Sequence, residues 1–376
     1  RTQAALVKAT DYFSPSGLLC RDPLSMGCGA TKSKHPALRF FTGETGVLQA
    51  SHSSQYGKIG PGTSKMAVRE SVLYLVGNKG MALFDVSDPD ISTLPKIGVT
   101  MDGKLQYKLD TGVISCNSGA AVLFNGDFMY LYSGKGFLVY SVKDAKTPTK
   151  VGEPVQTDNR GWEAGAAMVL NGDRIYTAGG KGLRVMDVSN PSAPTTIGDV
   201  IDTGAINDHA DIAVALHGST LYVAGGKGLA VYNVEDKDKP EKVGSVINTG
   251  ALSDQGGAAI AIVEQKMYIA GGKGFATFNI SDPMKPISVE VVTNTGLLSD
   301  NGSTAMLVAG KTLYLAGGKG LGIFDISGDK PVQTTERPIS TGVISNDGPV
   351  DLKILGNTLY VAAGKGIATF SLQVLK

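Results

Sequence analysis

The sequence predicts an all-β fold, a seven-bladed β-propeller of four-stranded blades, and three observations support this prediction. A short phrase built on Lys-Gly, preceded by a further glycine in six of its seven copies, recurs along the chain with nearly constant spacing. Each repeat has room for four short strands of alternating residues, separated by turn residues. The repeat also covers nearly all of the 376 residues, which favours one closed array over two or three separate domains.

The most regular feature of the repeat is a lysine in a glycine-rich turn. Six copies lie 46 residues apart, and one more copy precedes them by an irregular step of 56 residues. A tyrosine lies five positions before each lysine and a glycine follows each one. That glycine suits a hairpin position with positive φ, where a side chain would be strained. The seven lysines are Lys79, Lys135, Lys181, Lys227, Lys273, Lys319 and Lys365.

The strands of one repeat can be predicted from alternation and turn residues. In the unit that follows Thr249, strands are predicted at 258–263, 267–270, 275–280 and 287–292. Four strands in a repeat of 46 residues are typical of a propeller blade. A second marker, a threonine usually followed by glycine, recurs with the same period and is predicted to lie in the loop between blades.

The two ends of the chain are predicted to complete one blade together. A proline lies nine residues before most marker threonines, and Pro36 lies nine before Thr45. Residues 37–42 are therefore in register with the last strand of a repeat. Because an open ring would leave unpaired strand edges, residues 37–42 are expected to pair with residues 367–370 and close the seventh blade.

Composition limits the possible partners. Lys and Arg number 35 against 34 Asp and Glu, so no single-sign charge favours binding to nucleic acid. No apolar run approaches the roughly 18 residues needed to span a bilayer, so no direct membrane span is expected. Residues 1–34 lie outside the repeat and predict an irregular extension to a propeller of residues 35–376. The chain starts at Arg1, which fits removal of a targeting peptide and fits a trimmed chain equally well.

Two stretches resemble a known repeat family. LYLAGGKGLGIFDIS at 313–327 and IYTAGGKGLRVMDVSNP at 175–191 are similar to the LVIVD repeat, and the resemblance covers about residues 36–376. It implies a propeller that is exported or held at a cell surface, and it implies no catalytic motif, since the family shares none. The turn lysine departs from the acidic or polar residue more usual there. The first blade also carries about ten extra residues on each side of Lys79.

The seven lysines are predicted to form a ring on one face, because the hairpin between second and third strands and the loop between blades open on the same face. Such a ring suggests binding of an anionic ligand or an acidic partner. The alternative is pairing within the face, which the near-zero net charge favours. The loop carboxylates available for such pairing are Glu163, Asp208, Asp254, Asp300 and Asp347. The turn is not a phosphate loop, because it lacks that pattern and precedes a strand.

Further candidate residues lie where the repeat departs from its own pattern. One inter-blade loop holds the only tryptophan, Trp162, beside Glu163, and the next holds Asp208, His209 and Asp211. At the funnel mouth this group could bind a sugar or a cation, or perform acid and base steps. Ordinary variation of solvent-facing loops is the alternative. No catalytic residue is predicted, because no second histidine accompanies His209. If the protein is catalytic, the candidate residues are His209, Asp208, Asp211 and Glu163.

The cysteines and one asparagine suggest modifications. Cys20 and Cys28 can close a small disulfide loop in an oxidising compartment, or stay as free thiols. Cys116 is a single thiol without a partnered base, which does not predict a nucleophile. Asn301 lies in an Asn-Gly-Ser acceptor pattern and is the predicted glycosylation site. No cofactor or metal is predicted. A calcium site made from oxygen atoms of the loops is kept as an alternative.

The leading hypothesis for function is a noncatalytic interaction or structural propeller. It would be a secreted, cell-surface or organelle-lumen subunit of a larger assembly, contacting other proteins through the lysine face and the N-terminal extension. A hydrolase or lyase with its site near Trp162 and His209 is the second hypothesis. A module that binds an anionic glycan or small anion is the third.

Overall fold

The computed structural model of the chain describes residues 38–42, 44–54, 65–77, 80–88, 94–101, 104–114, 119–159, 165–292, 295–346 and 348–374. Across these ranges the chain forms strands, turns and loops, and no helix there is long and apolar enough to cross a bilayer. The predicted N-terminal extension, residues 1–34, lies outside the described residues.

In chain order the strands are β1 (Leu38–Thr42), β2 (Glu44–Ser54), β3 (Lys65–Arg69), β4 (Val72–Gly77), β5 (Gly80–Asp85), β6 (Lys96–Ile97), β7 (Val99–Met101), β8 (Lys104–Gln106), β9 (Ala120–Asn125), β10 (Phe128–Ser133), β11 (Gly136–Ser141), β12 (Thr149–Val155), β13 (Ala167–Asn171), β14 (Arg174–Gly179), β15 (Gly182–Asp187), β16 (Thr195–Ile201), β17 (Ala213–His217), β18 (Thr220–Gly225), β19 (Gly228–Asn233), β20 (Glu241–Ile247), β21 (Ala258–Val263), β22 (Lys266–Gly271), β23 (Gly274–Asn279), β24 (Ile287–Val292), β25 (Ala305–Ala309), β26 (Thr312–Gly317), β27 (Gly320–Asp325), β28 (Val332–Gln333), β29 (Val350–Leu355), β30 (Thr358–Ala363) and β31 (Gly366–Val374).

These strands form seven antiparallel sheets, which are the blades, and one separate hairpin, β7–β8. Blades 1 to 6 consist of β3–β6, β9–β12, β13–β16, β17–β20, β21–β24 and β25–β28. Blade 7 consists of β29–β31 together with β1 and β2. The first strands of neighbouring blades contact one another all the way round, including β29 against β3. The chain is therefore a closed seven-bladed β-propeller, and the predicted fold class is confirmed.

Blade 5 shows how closely local pattern determines the strands. The predicted strands 258–263 and 287–292 coincide with β21 and β24, and the two between them differ only at their ends. Gly271 pairs with Gly274, which leaves a two-residue turn that contains the lysine. The glycine after the lysine has positive φ in every blade, for example +138° at Gly228. A Cβ atom at Gly228 would also lie 2.5 Å from the carbonyl oxygen of Ile247, so only glycine fits there.

The repeat tyrosines join neighbouring blades. Their side chains are buried between blades, as expected for core residues, and several hydroxyls donate to a carbonyl of the next blade. The Tyr222 hydroxyl lies 2.7 Å from the oxygen of Pro283, and the Tyr176 hydroxyl 3.1 Å from that of Lys237. Burial, with a smaller effect of Asp282, raises the pKa of Tyr222 to about 12. Each such tyrosine combines apolar burial with a polar bond between blades.

The closure of blade 7 differs in one respect from the prediction. The N-terminal part of the chain does complete the blade, but the strand that pairs with β31 is β2, from Gly46 opposite Val374 to Ser54 opposite Ile367. β1 pairs with the outer edge of β2, one strand further from the axis. The predicted pairing of residues 37–42 with residues 367–370 is therefore wrong. A strand of 11 residues such as β2 can follow the whole edge of the nine-residue β31, whereas β1 has five residues.

The outer strands differ between blades at one position. In blades 2 to 4 a glycine with positive φ interrupts the ladder, which protects the exposed edge from pairing with other chains. These glycines are Gly152, Gly198 and Gly244. Blade 1 has the hairpin β7–β8 instead, after which Leu109 returns to pair with Met81. The extra residues noted after Lys79 include this hairpin, which leaves Leu105 and Tyr107 more than half exposed.

Candidate functional site

One face of the propeller carries the Gly-Lys-Gly turns together with the loops between blades, and we call it the GKG face. In six blades the backbone N–H of the turn lysine donates to a carbonyl in the preceding inter-blade loop. The Lys227 nitrogen lies 2.9 Å from the oxygen of Ala205, and the Lys273 nitrogen 3.0 Å from that of Ala251. These bonds confirm that turns and loops share one surface.

In blades 4 to 7 the marker threonine caps the inter-blade loop that leads into the blade. The Thr203 hydroxyl oxygen accepts hydrogen bonds from the N–H groups of Ala205 and Ile206, both at 3.2 Å. Thr203 is fully buried, and the following Gly204 has a φ of +67°. The threonine and glycine therefore build the turn, and neither is exposed as a ligand group.

The inter-blade loops are bonded to one another around the axis. The Asp211 N–H donates to Gly256 O at 3.2 Å, and the Gly257 N–H donates to Gly302 O at 2.8 Å. The Asp211 carboxylate accepts a hydrogen bond from the Ser303 hydroxyl, although one blade separates them. Backbone and side-chain bonds thus hold the loops of blades 4 to 6 in a fixed arrangement.

The ring lysines are exposed and unpaired where the structure describes them. None of the six forms an ion pair with a described carboxylate. Asp208, Asp254 and Asp300 are exposed on the same face, so the hypothesis that they pair with the lysines is wrong for these three. The six lysines are Lys135, Lys181, Lys227, Lys273, Lys319 and Lys365. Lys79, Glu163 and Asp347 lie outside the described residues.

Bonds between loops hold the backbone of two of these aspartates, Asp254 and Asp300, in place. The carbonyl oxygen of Asp254 accepts from Asn207 Nδ2 at 2.8 Å, and that of Asp300 accepts from Ser253 Oγ at 3.3 Å. The same two side chains fill the space beside the glycine before the lysine of their own blade: a Cβ at Gly226 would lie 2.4 Å from Asn207 Nδ2, and one at Gly272 2.3 Å from Ser253 Oγ. The backbone of these aspartates is thus fixed by the preceding loop, and their carboxylates accept none of these bonds.

The charged side chains of the opposite face are arranged differently. The opposite face carries the turns between first and second strands and the loops between third and fourth strands. There Arg174 lies 3.0 Å from Asp187 and 3.1 Å from Asp173, and its Nε also contacts Asp238. Other described pairs lie on this face or on outer strands: Arg69–Asp127, Lys146–Asp85, Lys150–Glu153, Lys237–Asp173, Lys266–Asp329, Lys285–Asp282 and Lys330–Glu290.

The predicted funnel-mouth cluster falls only partly within the described residues. Asp208 and His209 have exposed side chains, while Asp211 is half-buried and bonded to Ser303. Trp162 and Glu163 lie outside the described residues, so the site stays a prediction. In the described part of the chain, no group of three or more His, Cys, Asp and Glu residues could hold a metal ion.

The inter-blade loop after Thr157, which holds Trp162, departs from the repeat pattern, and part of this departure has a structural explanation. Asn159 is fully buried at a position where four later loops have an apolar residue. Its Nδ2 donates to Thr177 O at 2.8 Å, and its Oδ1 accepts from the Tyr132 hydroxyl at 2.9 Å. Sequence analysis missed this cluster. The signal was that Tyr132 and Thr177 also depart from their repeat positions, where later blades have alanine and aliphatic residues.

A cleft of about 450 Å³ opens on the GKG face between blades 5 and 6. Lys273 and Lys319 line it together with Ser299 and Asp300, and Leu298 contributes an apolar part of the lining. Its remaining lining residues are small: Gly250, Gly272, Gly274, Thr295 and Gly296. Sequence reasoning identified the lysines and Asp300 but did not predict a cleft between them.

Of the cysteines and the asparagine discussed as modification sites, only Asn301 lies within the described residues. Cys20, Cys28 and Cys116 lie outside the described residues. Asn301 is exposed in the loop before β25, and glycosylation there stays a prediction.

Comparison with solved structures shows a propeller fold and no more, because the sequences are very different. Virginiamycin B lyase from Staphylococcus aureus is similar with a TM-score of 0.55 and 11% identity, over 87% of this chain and 99% of that one. The N-terminal domain of Nup159 is similar with a TM-score of 0.53 and 10% identity, over 89% of this chain and 97% of that one. The extracellular domain of a putative one-component system from B. thetaiotaomicron is similar with a TM-score of 0.54 and 14% identity, over 86% of this chain and 39% of that one.

Comparison by sequence finds one family. Residues 165–202 match the LVIVD repeat, a stretch that covers the four strands of blade 3. No curated protein matches the chain in sequence. The chain thus contains an LVIVD repeat, and the other blades follow the same period.

Proposed function

We propose that the protein is a noncatalytic interaction propeller that binds an acidic partner protein through the GKG face. The observation that carries this proposal is the contrast between faces. Lysines of the opposite face take part in ion pairs, while six lysines of the GKG face meet no described carboxylate. Charges that do not hold the fold together are available to a partner.

The unpaired ring is compatible with a stable free protein. Two ammonium groups about 10 Å apart in water repel each other by roughly 0.4 kcal/mol, and salt reduces this further. The ring therefore needs no ligand for stability. It can instead accelerate the encounter with an acidic surface and fix its orientation.

The distribution of charge favours a folded protein over a uniform polyanion. Asp208, Asp254 and Asp300 are exposed in the inter-blade loops of the same face, so the face presents carboxylates as well as ammonium groups. A uniformly anionic chain that crossed the face would meet both. A folded partner can place acidic groups over the lysines and neutral or basic groups over the carboxylates.

The loops also favour binding because they are already ordered. The bonds from Asp211 to Gly256 and from Gly257 to Gly302 hold neighbouring loops together without a ligand. Little conformational entropy then has to be lost when a partner binds. The LVIVD match at 165–202 supports a location outside the cytosol, as for other propellers with this repeat. A role for residues 1–34 as a second contact stays a prediction.

The test is to express the tagged chain in its source cells and measure its native size by size-exclusion chromatography in gentle extracts. We expect the wild-type chain in an assembly larger than the monomer. Replacing the six ring lysines by glutamine should shift it to the monomer position. The six are Lys135, Lys181, Lys227, Lys273, Lys319 and Lys365.

A matched control removes six exposed lysines from the opposite face and should leave the assembly intact. The control positions are Lys143, Lys237, Lys239, Lys285, Lys311 and Lys330. A wild-type chain that elutes as a monomer would overturn the proposal. Equal loss of assembly in both variants would also overturn it, since net charge rather than the GKG face would then be responsible.

A further inference from the structure

We propose that the cleft between blades 5 and 6 binds a small hydroxylated carboxylate of monosaccharide size, the uronate class. Apart from glycines, the cleft is lined by two lysines, one aspartate, one leucine and two hydroxyl residues, Thr295 and Ser299. This inference concerns a small ligand and does not depend on the protein partner proposed above.

The two lysines supply the charge that recognises a carboxylate. Lys273 and Lys319 line the same cleft from neighbouring blades, and neither is paired with a described carboxylate. Both turns are fixed by backbone bonds, from the Lys273 N–H to Ala251 O and from the Lys319 N–H to Leu297 O, each 3.0 Å. A carboxylate between them would receive charge-assisted hydrogen bonds from both sides.

Asp300 limits which anions fit. Asp300 is one of the residues that line the same cleft, and an ionised carboxylate only accepts hydrogen bonds. Sulfate has no donor for it and would be repelled, while phosphate near neutral pH has only one or two O–H groups and a negative charge shared among its other oxygens. A sugar acid carries its negative charge at one end and hydroxyl donors elsewhere, so it can satisfy the lysines and Asp300 together.

The shape and the remaining lining agree with a sugar ring. The volume of about 450 Å³ lies within the usual range for small-molecule sites, roughly 300–1,000 Å³. Four glycines in the lining let a ligand approach the backbone closely. Leu298, 7% exposed, offers a small apolar surface for the C–H groups of a ring.

The repeat provides an internal comparison for this cleft. Between blades 6 and 7 the residue equivalent to Asp300 is Asn346, while the lysines are kept as Lys319 and Lys365. Asp300→Asn therefore makes the blade 5–6 cleft resemble its neighbour without changing the fold. The substitution separates recognition of hydroxyls from simple attraction of an anion.

The purified chain is titrated with D-glucuronate, D-glucose and inorganic phosphate. Binding is measured by calorimetry and by the change in the methyl NMR signals of Leu298. We expect glucuronate to bind and to shift the Leu298 signals, and glucose and phosphate to bind at least about tenfold more weakly. Lys319→Gln and Asp300→Asn should each weaken glucuronate binding by about tenfold. Lys311→Gln, on the opposite face, should have no effect.

Several results would overturn the proposal. Equal affinity for glucose and glucuronate would show that the lysines are not used. Tighter binding by the Asp300→Asn protein would show that only net charge matters, and phosphate that competes as well as glucuronate would lead to the same conclusion. Heat of binding without a shift at Leu298 would place the ligand elsewhere. None of these results bears on the assembly measured by chromatography.

Discussion

The two faces of the propeller both carry lysines and carboxylates, but they use them differently. On the opposite face Arg174 contacts three carboxylates, and Lys146 reaches Asp85 of the neighbouring blade at 3.1 Å. On the GKG face neighbouring loops are joined by backbone groups and by small polar side chains such as Asn207 and Ser253. The lysines of that face are therefore not needed to hold blades together. The difference indicates which charges serve the fold and which are open to a ligand.

The largest expected effect concerns the tyrosines between blades and appears at alkaline pH. Their pKa is raised from the ordinary value of 10, chiefly by burial, to about 12 for Tyr140, Tyr222, Tyr232 and Tyr314. Unfolded tyrosines lose their protons near pH 10, while folded ones keep them to about pH 12. Between these values the unfolded state binds fewer protons, so the free energy of unfolding should fall as pH rises, and below pH 10 these groups should have no effect.

Urea unfolding at a series of alkaline pH values measures this effect. The Tyr222→Phe protein should show a shallower fall, because one titrating group is removed. It should also be less stable by about 1 kcal/mol at neutral pH, since Pro283 O loses its donor. A free energy of unfolding that stays constant above pH 10 would contradict the explanation from burial.

The second expected effect compares the faces within blade 3. Arg174→Ala should reduce the free energy of unfolding by about 2 kcal/mol, because three carboxylates are left close together without their cation. Lys181→Ala, on the GKG face of the same blade, should change it by less than about 0.5 kcal/mol. Both values come from urea unfolding near neutral pH. Similar losses in the two proteins would mean that Lys181 has a structural contact, and the contrast between faces would fail.

The smallest expected effect is on the stability of the protein without its six ring lysines. Glutamine at these positions should leave the free energy of unfolding within about 1 kcal/mol of wild type, with a slight gain at low salt because repulsion is removed. Unfolding at low and high salt checks this. A large loss at low salt would show that the lysines do have partners in the fold.

The fold could be predicted from the sequence because each blade repeats the same local signals. Alternation and turn residues located β21 and β24 to the residue, and the positive φ of Gly228 followed from its place in the turn. The pairing of β2 with β31 could not be located in this way. Pro36 and Thr45 marked the position of a strand, but no local signal says which of two consecutive strands pairs with a distant edge.

The candidate site was less predictable, because it depends on contacts between blades. Net charge favoured pairing of the lysines with loop carboxylates, yet the bonds that fix Asp254 and Asp300 come from Asn207 and Ser253 and end on their backbone oxygens. The loop that holds Trp162 departs from the repeat, and part of that departure is Asn159, whose polar groups are satisfied by Tyr132 and Thr177. Such compensation involves residues far apart in sequence and becomes visible only when the blades are assembled.

The pairing of β2 with β31 has a consequence for how the chain folds. Blades 1 to 6 each contain only strands that are consecutive in the chain, so they can form while later parts of the chain are still being synthesised. Blade 7 joins Gly46 to Val374, which brings together nearly the whole length of the chain. The entropy of that loop closure must be lost before the pairing is gained, so ring closure should come late and slowly. Until then the unpaired edge of β31 is exposed, and this is the stage at which a chaperone would be most useful.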